Sequence, residues 1–467
     1  MALGRLSPMP RGRTDSRVDR SLPLADANGH AIARHAEGDD IVAVRGGRPI
    51  RLAEFQRDAA ALAARLPAHA YILNLCTDRY RFMVGLAAAL RRRQISLMPP
   101  GIAPGLLRAL AEDYPDLYAL TDTAPPPIKS FTYPDRMDED GGAADMAAVP
   151  GDQQALILFT SGSTGKPKPV GKSWSTLVHS ARAAGERLGL ARLRGATVIG
   201  TVPHQHSYGL ESTILLGLQH GLRIDAGWPL YPADIRAALE RADGPRILVT
   251  TPVHLRALVA EPGGMPRAEL ILSATAPLPA SLAAAAEACF GGPLIEIYGC
   301  TEAGQVATRR SARETGWQCL DGVELRQDER GTWASGGAVE GVAPLQDVIE
   351  LTGAGTFLLG GRAADLIDVA GKRTSLAHLN HQLQSIPGVV DGVFFMGDAD
   401  GQLVARLMAL VVAPGLRPET ILQALRERID TAFLPRPLMF ADALPRNELG
   451  KLPREALLRL AGRRQGA

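Results

Sequence analysis

The stretch FTSGSTGKPKPVGKS, Phe159 to Ser173, follows the apolar run Ala155 to Phe159. It sets Gly162, Gly165 and Gly171 among the hydroxyls of Thr160, Ser161, Ser163 and Thr164 and the cations Lys166, Lys168 and Lys172. The apolar run predicts a buried strand, and the periodicity after the loop predicts a helix from about Ser173 to Leu188. A loop between a strand and a helix is where α/β folds bind anions, because backbone N–H groups and the helix N-terminus face outward. Gly162 and Gly165 allow close backbone approach. A Walker A loop needs GxxxxGK[ST]; here the glycines stand too close and Pro167 follows the lysine, so that motif is excluded. Taken alone, the stretch fits a phosphate cradle and a solvated turn equally.

Working outward, helical and strand patterns alternate. LAEFQRDAAALAARL (from Leu52), RYRFMVGLAAALRRR (from Arg79) and GLLRALAED (from Gly105) read as helices, while AYILNL (from Ala70), QISLM (from Gln94) and DLYALTD (from Asp116) read as strands. The runs ATVIGTVP, RILVTTP, AELILSATAPL and LIEIYGC continue the strand series. This alternation predicts layered α/β architecture with parallel sheets. Residues 1–40 read as a loosely packed lead-in, and the acidic, Gly-rich segment 130–152 as a linker. Short strands with Gly turns follow from about Gly316 to Gly361. After that the pattern changes to a small α+β unit. The expectation is a large N-terminal domain, residues 1–361, of layered sheets and helices, and a small mobile α+β C-terminal domain, residues 362–467.

Composition limits the function classes. The chain has 467 residues, 46% of them apolar and 21% charged, with a net charge of +2. That is globular composition with no demand for nucleic acid or an anionic membrane. Cys76, Cys289, Cys300 and Cys319 form no CxxC pair, so free thiols in a reduced compartment are expected. The N-terminus lacks the apolar core of a secretory signal, and no run is long enough for a membrane span. A cytoplasmic location is therefore expected.

Three further stretches decide the reading of the loop: YGCTEAG (Tyr298 to Gly304), LGGRAADLIDVAGKR (Leu359 to Arg373) and LPRNELGKLPREAL (Leu444 to Leu457). With the quoted loop, in this order and spacing, they resemble the signature of the adenylate-forming superfamily. That group comprises acyl- and aryl-CoA synthetases, peptide-synthetase adenylation domains and luciferases. The resemblance runs from about Leu52 to the end.

The resemblance implies ATP and Mg²⁺ as cofactors and a small carboxylic acid as substrate. Thr160, Ser161, Gly162, Ser163, Thr164, Gly165 and Lys168 would hold the β- and γ-phosphates. In the same YGxTE element, which includes Gly299 among the nucleotide-binding positions, Tyr298 would lie near adenine, Thr301 on the α-phosphate and Glu302 on Mg²⁺. The family's ribose aspartate usually sits in TGD, fifteen residues before the arginine of GRxxD. Here LQD replaces TGD, yet Asp347 stands fifteen residues before Arg362, so the ribose role passes to Asp347. Arg362 would contact ribose or phosphate. Asp365 matches the hinge position and Lys451 the catalytic lysine that bridges carboxylate and α-phosphate. A solvated loop aspartate and an exposed tail lysine are the ordinary alternatives for Asp347 and Lys451. Lys166 and Lys172 carry no family role and read as solvated loop charges.

VPHQHSYG (Val202 to Gly209) fits the family's PxxHxxG, which implies that His206 lines the acyl pocket. His204 and His206 also invite a metal reading, but no third ligand stands at a sensible spacing. Tyr208, Thr251, Pro252 and Ser273 are pocket candidates. Thr275 falls in SATAP, the adenine wall, where Thr275 and Ala276 replace the family's glycine and a small residue. Asp368 stands where IKxxGxR has lysine, while Gly371 and Arg373 are retained. His378 and Asn380 replace the glutamates often found just after, which touches the second half-reaction.

The C-terminal region resembles ligases of aryl-polyene and xanthomonadin-type pigment pathways. Those activate a small aromatic acid, a hydroxybenzoate or hydroxycinnamate, and load it on an acyl carrier protein. No GxDS carrier serine occurs in the chain, so the acceptor thiol, of carrier protein or of coenzyme A, would come in trans. A catalytically silent nucleotide- or acyl-binding protein is the alternative of another class.

Overall fold

The computed structural model describes residues 29–136, 147–160, 168–362, 366–369, 372–397, 407–446 and 452–465. The apolar runs form strands shielded on both faces: Thr197–Gly200 and Leu270–Ser273 are buried along their whole length. Such runs belong to parallel sheets covered by helices. The helix Leu52–Arg65 buries Leu52, Phe55, Ala59, Leu62 and Ala63, one stripe at helical spacing. Asp78 caps the helix Arg79–Arg91 by accepting from the Arg81 N–H, and Ser173 caps Trp174–Arg187 by accepting from the Thr176 N–H.

Among the described residues two large sheets result. The first has six strands, in the order Ser130–Thr132, Leu117–Thr121, Tyr71–Asn74, Ile95–Met98, Gln154–Thr160, Lys168–Ser173. Its pairings are parallel except the last. The second has eleven strands. Its parallel centre runs Leu294–Cys300, Leu270–Ser273, Arg246–Thr250, Thr197–Gly200, Arg223–Asp225, Ile41–Arg45, with antiparallel strands added at both ends. One core cluster takes side chains from both sheets, including Ile72 and Leu158 of the first and Val42 and Ile224 of the second. Between them pack the three helices just named, through Phe55, Met83 and Trp174. Mixed α/β layering is thus observed as the alternation predicted.

Three expectations need correction. The second part of the quoted stretch is not loop: Lys168–Ser173 is a strand that returns antiparallel to Gln154–Thr160, with Thr160 opposite Lys168. The helix expected from about Ser173 follows directly, as Trp174–Arg187. The lead-in is not loose where it is described. His30 and Ile32 are buried, and backbone N–H and C=O groups of His30 and Val149 pair with each other. Nor is the whole of 130–152 a linker, since Ser130–Thr132 adds a strand to the first sheet.

From Ile367 onward, side chains form two core clusters of their own, one around Leu379, Phe394 and Ile421, the other around Val393, Met408 and Leu457. Strands Asp391–Met396, Leu407–Val412 and Leu438–Phe440 form a separate sheet. Ser375 Oγ donates to Gly360 O at 2.6 Å. Arg446 grips Asp391 with two bonds, Nε to Oδ2 at 2.7 Å and the second guanidinium nitrogen to Oδ1 at 2.8 Å.

Candidate active site

The carboxyl ends of four neighbouring parallel strands set the site. Gly200 lies opposite Val249, Thr250 opposite Ser273, and Ser273 opposite Glu296. The segments leaving these ends carry His206 and Tyr208, Thr251 and Pro252, Ser273 and Thr275, and Tyr298 through Glu302. Ligands of open α/β sheets bind at this end, where loops diverge and backbone groups are unpaired.

The hairpin Leu294–Cys300 to Gly304–Arg309 is the most sharply defined part. A Cβ on Gly299 would lie 2.2 Å from the Gly304 carbonyl oxygen, so only glycine fits. Gly304 turns the chain with φ of +75°. The apex between them presents Thr301 and Glu302, both partly exposed. The Ala303 N–H points to Cys300 Sγ at 3.4 Å.

Tyr298 is fixed from behind by an aromatic group. Its ring centroid lies 5.5 Å from Trp317 and 5.6 Å from Phe357. The Arg309 guanidinium stacks over Trp317 at 4.4 Å and bonds Glu296 through Nε at 2.8 Å. Burial pushes the Glu296 carboxyl up, opposed by the Arg309 charge. Tyr298 OH donates to Asp347 Oδ2 at 2.7 Å, which brings together two residues forty-nine positions apart. Asp347 in turn lies opposite Arg362 in the strand pair Asp347–Gly353 and Thr356–Arg362. Sequence spacing had singled out both, and the register places their backbones side by side.

On the acid side, Tyr208 OH donates to Thr250 O at 3.1 Å, and burial pushes its phenol well up. Pro252 opens the helix Pro252–Val259 just after the buried Thr251. Ser273 Oγ is buried with no partner among the described residues, a polar atom that a bound molecule would satisfy. Thr275 has φ of +77°, a strained value for a β-branched residue, where the family has glycine. His206 precedes a short turn that continues as π-helix over Leu210–Leu215. Such wide turns recur at functional sites.

His204 belongs elsewhere. It is fully buried, its Nε2 bonds Cys76 O at 2.9 Å, and its ring packs against Phe82 at 4.7 Å. Burial, helped by the Arg79 charge, pushes it down to about 3, so it stays neutral. No group of three or more His, Cys, Asp or Glu side chains that could hold a metal occurs among the described residues. A single carboxylate, Glu302, suits Mg²⁺ only where phosphate oxygens supply the other ligands, which is how that hard cation binds nucleotides.

Two charged residues at this site were not singled out as functional. Lys172, read from the sequence as a solvated loop charge, is 2% exposed, and its Nζ donates to the Glu302 carbonyl at 2.6 Å. Glu211 is 4% exposed and accepts from Ser180 Oγ and Ser207 Oγ, each at 3.0 Å. Burial lowers the Lys172 pKa against the pull of Glu211, and raises that of Glu211 against the pull of Lys172. The one available signal was Glu211 itself, a carboxylate inside the apolar run LESTILL.

Ser161, Gly162, Ser163, Thr164, Gly165, Asp365 and Lys451 lie outside the described residues, as do the side chains of Thr160 and Arg362. Lys168, at the base of the hairpin that carries the loop, is exposed. All four cysteines are free, and no helix among the described residues is long and apolar enough to cross a membrane.

Comparisons with known proteins bear on this geometry. A family described as AMP-binding enzyme matches residues 60–329. The 4-coumarate–CoA ligase of Rhodobacter capsulatus is 30% identical over 313 residues, covering 66% of this chain and 77% of that protein. A probable 2-succinylbenzoate–CoA ligase of Mycobacterium tuberculosis is 28% identical over 338 residues, covering 66% and 85%. Among solved structures, ATP-bound MatB from Rhodopseudomonas palustris shares the fold with a TM-score of 0.77 at 20% identity, covering 91% of this chain and 97% of that one.

Proposed function

We propose that this chain, which belongs to the AMP-binding enzyme family and is an AMP-forming ligase, activates a small aromatic acid and passes it to the thiol of an acyl carrier protein. The observation that carries the reading is the convergence at the strand ends. Tyr298, bonded to Asp347, and the Thr301–Glu302 apex stand on one side, and His206, Tyr208, Thr251 and Ser273 on the other. One half offers aromatic and carboxylate groups suited to a nucleoside. The other offers an aromatic ring, an imidazole and small hydroxyl groups, Ser273 Oγ among them buried and unsatisfied, suited to holding an acid.

In the first half-reaction a carboxylate oxygen of the acid attacks the α-phosphorus of ATP, the bond to the β-phosphate oxygen breaks, and pyrophosphate leaves. Asp347 accepts the ribose hydroxyls while Tyr298 holds its carboxylate in place. Thr301 donates to the α-phosphate, Lys168 and the loop 160–165 hold the departing phosphates, and Lys451 bridges the acid and the α-phosphate. Glu302 holds Mg²⁺, which neutralises charge on the phosphates when bound. His206 and Tyr208 hold the acid beside it. In the second half-reaction residues 362–467 turn as a small domain about Asp365. The acceptor thiol, deprotonated, then attacks the acyl carbon and AMP leaves. Alignment and charge stabilisation are the protein's share.

The aromatic substrate is supported by relatives that are ligases for 4-coumarate and 2-succinylbenzoate. Those names also favour a second reading, in which coenzyme A is the acceptor. The test is ATP–pyrophosphate exchange over a panel of aromatic and aliphatic acids. Mass analysis of coenzyme A and of phosphopantetheinylated carrier protein, each incubated with the best acid, follows. Exchange strongest with a hydroxybenzoate or hydroxycinnamate and acyl transfer to the carrier protein are expected. Transfer to coenzyme A alone rules out the carrier reading, and no exchange with any acid points instead to a nucleotide- or acyl-binding protein.

A further inference from the structure

Three segments that carry proposed site residues meet around the buried Lys172 and Glu211. Lys172 lies on Lys168–Ser173, the strand leaving the loop at 161–167. Its Nζ reaches across 130 positions to the Glu302 carbonyl, at the apex of the hairpin, at 2.6 Å. Glu211 lies on the turn that follows His206. It accepts from Ser207 Oγ, beside His206, and from Ser180 Oγ on the helix Trp174–Arg187. Its Oε2 also lies beside Gly304, at the foot of the same hairpin. One residue further along the turn, Ser212 Oγ accepts from Gln305 Nε2 at 3.3 Å. The hairpin is thus held at its apex by Lys172 and at its base by Ser212, with Glu211 packed beside that base.

The surroundings make the arrangement stiff. The strands approach too closely at Gly299 for any side chain and Gly304 closes the turn in the left-handed region, so two permissive glycines flank the apex and its place is set by what grips it. A backbone carbonyl gripped by a buried ammonium holds the Cα of its own residue, and so sets the point from which the Glu302 side chain departs. Charged groups this deeply buried are retained in opposite pairs, because either one alone is costly in a medium that solvates it poorly.

We infer that Lys172 and Glu211 are positioning residues, buried side by side, that set Thr301 and Glu302 relative to the strand Lys168–Ser173 and to the turn that follows His206. The inference rests on the reading of Glu302 as the residue that holds Mg²⁺. Neither Lys172 nor Glu211 touches substrate; both act through the hairpin.

The test compares wild type, Lys172→Met and the double variant Lys172→Met/Glu211→Gln in ATP–pyrophosphate exchange. Three quantities are read: the Mg²⁺ concentration for half-saturation, the KM of the acid, and the melting temperature. Loss of a residue that orients a metal ligand typically costs about 10- to 100-fold in metal affinity or activity. Lys172→Met is therefore expected to raise the Mg²⁺ requirement at least about tenfold, with the acid's KM changed much less. It also leaves Glu211 buried without its counter-charge, and so lowers the melting temperature. The double variant removes both charges and restores melting, yet keeps the raised Mg²⁺ requirement. If the double variant regains both its melting temperature and wild-type Mg²⁺ dependence, the pair is merely structural and the inference falls. Lys172→Met with wild-type Mg²⁺ dependence overturns it as well, and leaves the ligase reading intact. A wild type without exchange overturns the ligase reading and this inference together.

Discussion

His204 makes a pH dependence of stability calculable. Its ring is fully buried, bonded to Cys76 O and packed against Phe82, and burial takes its pKa from 6.5 to about 3. The folded protein therefore binds this proton far less readily than the unfolded chain. Stability rises with pH wherever the unfolded state holds more protons, so the contribution is fully present above 6.5 and is lost as pH falls from there towards 3. Each pH unit within that window costs about 1.4 kcal/mol. Between pH 7 and pH 5 the integrated loss is about 2 kcal/mol. Replacing the ring by a group that donates but does not titrate isolates this amount. Gln at 204 can keep a donor towards Cys76 O, already shared with Gln205 Nε2 at 2.8 Å. Urea unfolding at the two pH values, followed by tryptophan fluorescence, gives the loss for wild type and for His204→Gln. All other titrating groups contribute alike to both and cancel. The variant, whatever its absolute stability, is expected to lose about 2 kcal/mol less than wild type on going to pH 5. Equal losses in the two proteins would refute the claim that His204 is held neutral in the fold.

Asp347→Ala removes the carboxylate that Tyr298 orients; since a hydrogen bond to a charged group contributes about 1.5–3 kcal/mol, the KM for ATP should rise at least about tenfold, and an unchanged KM sinks the ribose assignment. Lys451→Ala should cut adenylation by about 10²–10³-fold while preformed acyl-AMP is still consumed by thiol, and normal pyrophosphate exchange in that variant excludes the lysine. Thr275→Gly should stabilise the protein by up to about 1 kcal/mol in urea unfolding, because relief of about 1–2 kcal/mol of strain at φ of +77° is partly offset by about 0.5–1 kcal/mol from glycine's freer unfolded chain. A loss of stability there would mean that interactions of the threonine side chain outweigh its strain.

Much of the architecture was legible in the residues. Apolar runs such as RILVT and ELILS can bury both faces only inside a helix-covered parallel sheet, and Leu52 to Arg65 carries an unbroken helical stripe. The spacing from Asp347 to Arg362 singled out two site candidates, and the fold then set them opposite each other on adjacent strands. The strand after the quoted loop was not legible. KPVGKS contains Pro169, Gly171 and two lysines, a poor strand by its own preferences, and only pairing with Gln154–Thr160 makes it one. That misreading carried Lys172 with it, because a lysine beside a presumed loop is taken for a solvated one.

What the sequence by itself determined, then, is the set of local elements and the chemistry of the motifs, since both depend on neighbours a few positions apart. Tertiary structure alone decided which of those groups meet. Tyr298 finds Asp347 across the hairpin and the short strands that follow it, and Lys172 finds Glu302 from the other large sheet. It also sorted two histidines two positions apart, burying His204 neutral behind Phe82 and leaving His206 half-buried at the strand ends. The physical reason is that burial and electrostatic partnership are properties of packed space, and chain order specifies that space only through the whole fold.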